Sequence, residues 1–256
     1  MNLQNDQESI DLRRFWIALV ATTIPFYLWG ALVGGTVTIG GGELSVSALM
    51  FISPAFAASA AGGIGPIRRM CTSRPGLVAV GVAVAAPAVT TLGSSSALAG
   101  VWPTVPGSLW YAALLFVIAA FCEELGWTAV LMPRLLKRQS AVTTGVAIGA
   151  VWALWHLLPY LQSGYSATDL MWQLAFSVVF RVVLVQLTIQ GASAPILAVL
   201  GHASYNVAWA ALDANDTYSP AAATMAMGLL AVLLSRWPRF SRDEPDHGGD
   251  PLQTTA

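Results

Sequence analysis

The chain has 256 residues; 56 % are hydrophobic types, only 10 % are charged, and the formal net charge is −1. A soluble domain carries about 25 % charged residues, so this composition excludes an ordinary water-exposed surface and predicts an all-α membrane protein. The near-neutral charge also argues against a nucleic-acid-binding protein, which would carry a basic patch or stripe. Cys71 and Cys122 lie far apart and predict neither a disulfide framework nor a metal-binding pair.

Long apolar runs divide the chain into segments that could each cross a membrane as a helix of roughly 20 residues. The eight predicted spans are 15–34, 44–63, 76–99, 109–132, 141–160, 171–190, 193–212 and 220–236. The third is the least regular, because Pro87 and the stretch Gly93–Ser96 interrupt it. A very short turn around Gly191 joins the sixth span to the seventh, so these two helices should form an antiparallel hairpin.

The basic residues indicate how the spans are oriented. With the N-terminus inside, eleven of the twelve Lys and Arg residues fall on one side, as the positive-inside rule requires. Both termini are therefore predicted to be cytoplasmic: segment 1–14 precedes a retained anchor, and the polar tail 241–256, which contains His247, is predicted to be disordered. Arginine outnumbers lysine eleven to one, which is typical of a GC-rich bacterial genome, so we expect a bacterial cytoplasmic membrane.

Six of the polar residues within the predicted spans are candidates for a functional site, because a charged group at that depth costs about 2.5–3.5 kcal/mol. They are Glu123, Glu124, His156, Arg181, His202 and Asn206. A functional site is the default hypothesis for such groups. The alternatives are a structural ion pair between the glutamates and Arg181, an interfacial position for His156, and an inter-helix hydrogen-bond pair for His202 and Asn206.

The spacing of these residues predicts which of them share a helix face. Glu123 and Glu124 are neighbours and point about 100° apart, so one can face a reaction centre while the other faces a neighbouring helix. His202 and Asn206 are four residues apart and share a face. The span map places His156 nearer the outer membrane surface than Glu123, by about 6–9 Å.

Three short motifs resemble those of the CPBP intramembrane proteases, which include the type II CAAX prenyl endopeptidases and bacteriocin-processing or self-immunity proteins. The family's E-E-x-x-x-R, F-x-x-x-H and H-x-x-x-N motifs occur here in order, each on its own predicted span. They read Glu123-Glu124-x-x-x-Thr128, Trp152-x-x-x-His156 and His202-x-x-x-Asn206. The resemblance covers roughly residues 108–212, which we take as a protease core between the N-terminal helices (15–107) and the last helix (213–240).

The sequence departs from this pattern at two positions. Thr128 replaces the family's Arg, and Trp152 replaces its Phe. We hypothesise that Arg181, on the sixth span, supplies the missing positive charge to Glu124. The Thr128 change also raises the prospect of impaired catalysis.

The resemblance implies peptide-bond hydrolysis by an activated water molecule. Glu123 and His156 would hold the water, with Glu123 as general base, while His202 and Asn206 would donate hydrogen bonds to the oxyanion. Glu124, Arg181, Trp152 and Thr128 would support these residues. A zinc site built from Glu123, His156 and His202 with one open position remains an alternative to metal-free catalysis.

Two other classes of function fit a multi-pass protein with buried polar residues. One is an ion- or proton-coupled transporter, although no internal repeat is visible; the other is a non-catalytic scaffold or immunity protein of the same fold, which Thr128 favours. The expected partners of an enzyme are the lipid bilayer and a membrane-associated peptide or protein substrate. The sequence leaves the substrate's identity and the oligomeric state open.

Overall fold

The computed structural model describes residues 11–39, 42–105 and 107–237. Its helices are α1 (Leu12–Leu32), α2 (Ser53–Gly62), α3 (Gly65–Thr72), α4 (Leu77–Ala99), α5 (Leu109–Gly126), α6 (Met132–Leu135), α7 (Ala141–Gln162), α8 (Ala167–Gln190), α9 (Ile196–Asp213) and α10 (Pro220–Arg236). Strands β1 (Thr36–Ile39) and β2 (Gly42–Ser45) and a 3-10 helix (Val46–Ile52) connect α1 to α2, and a π-helix (Trp127–Leu131) joins α5 to α6. The predicted tail 241–256, with His247, and residues 1–10 of the predicted N-terminal segment lie outside the described residues.

The helices have the length and apolar character of membrane spans. Within the described residues, five segments qualify: α1, α4, α7, α8 and the continuous segment Leu109–Leu135. Large apolar side chains on these helices face outward; Leu77 is 88 % exposed and Trp110 is 76 % exposed. Such broad apolar exposure suits contact with lipid rather than with water. The multi-pass, all-α membrane fold is therefore confirmed, whereas eight spans and cytoplasmic termini stay predictions.

Three of the predicted spans, namely the second, the seventh and the eighth, are not among these five. Helix α9 carries the polar His202 and Asn206, and α10 has 17 residues. Both helices nevertheless occupy the positions predicted for the seventh and eighth spans.

The predicted second span, 44–63, coincides with one continuous helical segment, Val46–Gly62, which begins as a 3-10 helix and is followed by a sharp bend. Gly34 and Gly35 have φ values of +69° and +97°, and this backbone, which glycine adopts without strain, turns the chain into the β hairpin. The 3-10 helix and α2 follow, and then α3 continues at an angle of 113° to them. This bent pair is either a broken span or a re-entrant loop.

The irregularity predicted for the third span is also absent, because α4 is continuous through Pro87 and Gly93–Ser96. A proline inside a helix removes one backbone hydrogen bond, and here the surrounding helix tolerates that loss. Two of the serines are accommodated by hydrogen bonds, since Ser94 donates to the Thr91 carbonyl and Ser95 accepts from the backbone of Ser219.

Close packing of α7 against α8 and the turn from α8 to α9 place three site helices side by side. A Cβ at Gly145 would lie 2.6 Å from the Val182 Cα, and one at Gly149 would lie 2.7 Å from the Val178 Cα, so only glycine permits this approach. The predicted tight turn at Gly191 is confirmed; Ala192 and Ser193, which follow it, have positive φ values. Helices α7, α8 and α9 therefore present their polar residues to a common interior.

The π-helix after α5 marks the end of the segment that carries the two glutamates. Pro133 has no N–H to donate to the carbonyl four residues earlier, and that carbonyl, of Ala129, instead accepts a hydrogen bond of 2.9 Å from Arg69 Nη1. π-helical turns are frequent at functional sites because they shift the register of the following residues. Here the turn follows immediately after Glu123 and Glu124.

Candidate active site

A cavity of about 420 Å³ lies between the β hairpin, the 3-10 helix and helices α5, α7, α8 and α9. Its walls include the four residues predicted to be catalytic, namely Glu123, His156, His202 and Asn206, together with Trp152. The axial offset predicted for His156 therefore does not remove it from the site. The structure brings the three sequence motifs to one cavity.

Glu123 lies on α5 and is only 5 % exposed. The indole N–H of Trp152 donates a hydrogen bond of 2.7 Å to Oε2 of Glu123. The other carboxylate oxygen accepts no hydrogen bond from any residue in the described part of the chain. One oxygen is thus fixed in position, and the other is free to accept a proton from a bound water molecule.

His156 is held by its own helix and by aromatic rings. Its Nδ1 lies 3.0 Å from the Trp152 carbonyl oxygen. Because a carbonyl only accepts, Nδ1 carries the proton, and Nε2 of the neutral ring is left with its lone pair. The ring lies edge-on to Trp152 and Trp155 and stacks on Tyr160 at a centroid distance of 5.6 Å. His156 can therefore act as a hydrogen-bond acceptor for water.

Glu124 faces away from the cavity and is completely buried. Its Oε2 accepts a hydrogen bond of 2.6 Å from Arg181 Nη1 and another from the Thr128 hydroxyl, and its Oε1 lies 2.9 Å from His202 Nδ1. The hypothesis that Arg181 supplies the positive charge missing at position 128 is confirmed. The two glutamates point in different directions, as their separation of about 100° on the helix predicted. Glu123 faces the cavity, and Glu124 faces Arg181, Thr128 and His202.

Arg181 is itself fully buried, and its contacts explain how a desolvated cation is tolerated. Besides the ion pair with Glu124, the guanidinium carbon lies 4.4 Å from the centroid of the Trp152 ring, a cation–π arrangement. Nε and Nη2 of Arg181 have no hydrogen-bond partner among the described residues. Trp152 therefore links the ion cluster, through its ring face, to Glu123, through its N–H.

Asn206 lies one turn after His202 on α9 and is half-buried at the cavity wall. The two side chains share a helix face, as predicted. His202 is anchored from behind by Glu124. This pairing places two potential donors on the same wall.

A hydrogen-bonded cluster at one end of the cavity was not predicted from the sequence. Gln173 contacts the hydroxyls of Tyr160 and Tyr205 at 3.4 Å each and accepts a hydrogen bond of 2.9 Å from Tyr218. Tyr205 and Tyr218 also contact each other at 3.1 Å. The one sequence feature that could have indicated this cluster is Gln173, because it is a polar residue within a predicted span. The cluster fixes Tyr160, on which His156 stacks.

The structure does not support the alternative of a zinc site built from Glu123, His156 and His202. Within the described residues, no group of three or more His, Cys, Asp or Glu side chains is placed to hold a metal ion. Glu123 Oε2 is occupied by Trp152, and His202 Nδ1 is occupied by Glu124. The prediction of a metalloprotease is therefore not supported.

The fold and the cavity together define a class: a multi-pass helical membrane protein with a buried carboxylate and histidine site. Residues 105–208 match the family model for the Rce1-like type II CAAX prenyl endopeptidases. The resemblance to the CPBP proteases, a family of hydrolases, is thus confirmed for this segment, which contains all four cavity residues named above. No curated protein matches the chain.

Proposed function

We propose that the chain is an intramembrane endopeptidase that hydrolyses peptide bonds of membrane-associated substrates. The observation that carries this proposal is that Glu123 and His156 line one cavity with His202 and Asn206. A carboxylate oxygen without a protein partner and an imidazole lone pair are the two acceptors that a nucleophilic water molecule needs.

In the proposed reaction, a water molecule bound to Glu123 and His156 loses a proton to Glu123. Its oxygen attacks the scissile carbonyl carbon and forms a tetrahedral intermediate with a negatively charged oxygen. The C–N bond then breaks as Glu123 returns the proton to the leaving nitrogen, and the products are a new carboxylate and a new amine. A positioned general base typically contributes about 10²–10⁴ in rate.

His202 and Asn206 would stabilise the negative oxygen by donating hydrogen bonds to it. Whether His202 can donate depends on its contact with Glu124. Because Nδ1 of His202 faces Glu124, Nε2 donates a hydrogen bond only when the ring is an imidazolium. Glu124 would then be the counterion of that imidazolium.

The lining of the cavity supports a membrane-associated substrate. One wall consists of apolar residues of α5 and the 3-10 helix: Ala48, Leu49, Phe51, Leu115, Ile118 and Ala119. Leu115 and Ile118 are themselves 44 % and 47 % exposed on the helix bundle. A substrate anchored in the lipid, by a helix, an acyl chain or a prenyl group, could therefore reach the acidic site along an apolar path.

The test uses the full chain reconstituted in lipid nanodiscs with short quenched-fluorescent peptides that carry a farnesyl, an acyl or a helical anchor. Glu123→Gln keeps the acceptor for Trp152 but removes the base, so we expect cleavage to fall by at least about 10². Asp169→Asn is the matched control, because that carboxylate lies in a surface turn with Ser166, and it should cleave at the wild-type rate.

A non-catalytic scaffold is the alternative that Thr128 favoured. The ion pair between Arg181 and Glu124 places a positive charge beside Glu124 although Thr128 carries none, and this supports the enzyme over the scaffold. Absence of cleavage for all three kinds of anchored peptide would restore the scaffold as the better interpretation. Equal cleavage by Glu123→Gln and wild type would show that the general base has been assigned wrongly.

A further inference from the structure

The β hairpin at the cavity wall has one strand edge to which no other described residue is hydrogen-bonded. Six hairpin residues line the cavity: Val37, Thr38, Ile39, Glu43, Leu44 and Ser45. Strand β2 packs against α7 and α9, and a Cβ at Gly42 would lie 2.9 Å from the Trp209 ring. Strand β1 has its principal contacts with β2, so its other edge is available.

The register of the hairpin identifies the backbone groups on that edge. Thr36 pairs with Ser45 and Thr38 pairs with Glu43 in the antiparallel ladder. The next pair along, Gly35 and Val46, is hydrogen-bonded, since the Val46 N–H donates to the Gly35 carbonyl at 3.1 Å. Hydrogen-bonded and non-hydrogen-bonded pairs alternate in such a ladder. The N–H and C=O groups of Thr36 and Thr38 therefore point away from β2.

The opposite edge confirms this register and is already occupied. The outward N–H of Ser45 donates to Ser163 Oγ, and the outward N–H of Glu43 donates to Asp213 Oδ2, each at 3.2 Å. Among the described residues, no partner faces the outward groups of Thr36 or Thr38 on β1. Both threonines are exposed, so these groups are open to water or to an added strand.

We propose that the edge of β1 binds the substrate as an added β-strand and guides its scissile bond to Glu123. The occupant is an extended peptide segment of the membrane-associated substrate, and this inference rests on the proposed function. The edge of β1 is continuous with the candidate active site, because Thr38 and its two neighbours line the same cavity as Glu123 and His156. This continuity supports the substrate as the occupant. Adding a strand uses main-chain hydrogen bonds, which do not depend on the substrate's sequence.

An added strand also meets a chemical requirement of the reaction. A peptide carbonyl inside a helix is hydrogen-bonded within that helix and is shielded from attack. An extended segment exposes its carbonyl groups, and the edge of β1 offers two N–H donors and two C=O acceptors to hold it. The hairpin would therefore select unwound segments over helical ones.

Thr38→Pro tests the edge directly, because it removes the outward N–H and leaves the ladder bonds of Val37 and Ile39 in place. Thr38→Val is the matched control, since it keeps that N–H and the branched side chain. Binding of the three anchored peptides, labelled with fluorescein, is measured by anisotropy in nanodiscs in the Glu123→Gln background. We expect the Kd of Thr38→Pro to be about three- to tenfold higher than that of Thr38→Val.

A second measurement keeps the test decisive if the proline variant does not fold. N-methylation of alternate residues in the peptide removes its own donors, and methylation in one register alone should weaken binding to the unmodified hairpin. Equal affinity for both registers, or equal Kd values for Thr38→Pro and Thr38→Val, would overturn the proposed edge. Binding that depends on the edge, without cleavage by the wild type, would instead contradict the proposed function and leave the peptide site standing.

Discussion

Replacing Arg181 by Met tests whether the buried ion pair holds the site together. Arg181 and Glu124 are both completely buried, and their charged atoms are 2.6 Å apart. Removing one partner leaves an uncompensated buried charge, which typically costs about 3–5 kcal/mol in the free energy of unfolding. Replacing both partners removes the charge altogether and is often close to neutral. The double variant Arg181→Met/Glu124→Gln should therefore lose less unfolding free energy than the two single variants lose when their losses are added.

The assay is unfolding of the purified chain in mixed micelles with increasing denaturing detergent. We expect the double-mutant cycle to give a coupling free energy of about 2–3 kcal/mol. Arg14→Met is the control, because Arg14 pairs with Asp11 at 3.3 Å but its side chain is 73 % exposed, and such surface pairs contribute about 0–1 kcal/mol. If Arg181→Met destabilises the chain no more than Arg14→Met does, the argument from burial is wrong.

Three further predictions concern single positions. Asn206→Ala should lower kcat by about 10²–10³ through loss of an oxyanion donor. Asn206→Asp, which adds a negative charge, should lower kcat at least as far. A kcat equal to that of wild type in both variants would remove Asn206 from the site. Trp152→Phe keeps the ring over Arg181 but removes the N–H that fixes Glu123, so cleavage should slow more than peptide binding weakens, and an equal change in both would contradict this role. Gly149→Ala should lower the thermal unfolding temperature because its Cβ would clash with the α8 backbone. Gly81→Ala, whose Cβ would meet nothing within 4 Å, should keep or raise that temperature. Equal changes in unfolding temperature for the two variants would refute the packing account.

The site residues could be predicted from the sequence because helical spacing fixes which side chains share a face. The pairs Trp152 with His156 and His202 with Asn206 are each four residues apart, and this spacing alone places them together. The ion pair of Glu124 with Arg181 followed from a second physical rule, since neither charge is tolerated alone at membrane depth. The first rule depends only on spacing along the chain, and the second only on the need to pair a buried charge. Neither requires knowledge of the tertiary structure.

The hairpin and the polar cluster around Gln173 depend on tertiary contacts and were not predicted. Strands β1 and β2 have four residues each and lie almost entirely between the first two predicted spans, and segments this short carry no periodicity that separates a strand from a helix end. The contact of Gln173 with Tyr218 joins residues 45 positions apart, and no short spacing indicates it. The alternative of a zinc site is not supported for a related reason, because the hydrogen-bond partners of Glu123 and His202 are set by tertiary packing.

Cleavage under single-turnover conditions in water enriched in a heavy oxygen isotope tests the central claim most directly. Direct attack by a water molecule that Glu123 activates predicts one heavy oxygen in the new carboxylate of the product, with none in the protein, and a rate lower by at least about 10² in Glu123→Gln. Heavy oxygen in the Glu123 side chain would instead indicate a covalent intermediate on that carboxylate. Either that result or an unchanged rate in Glu123→Gln would contradict the account.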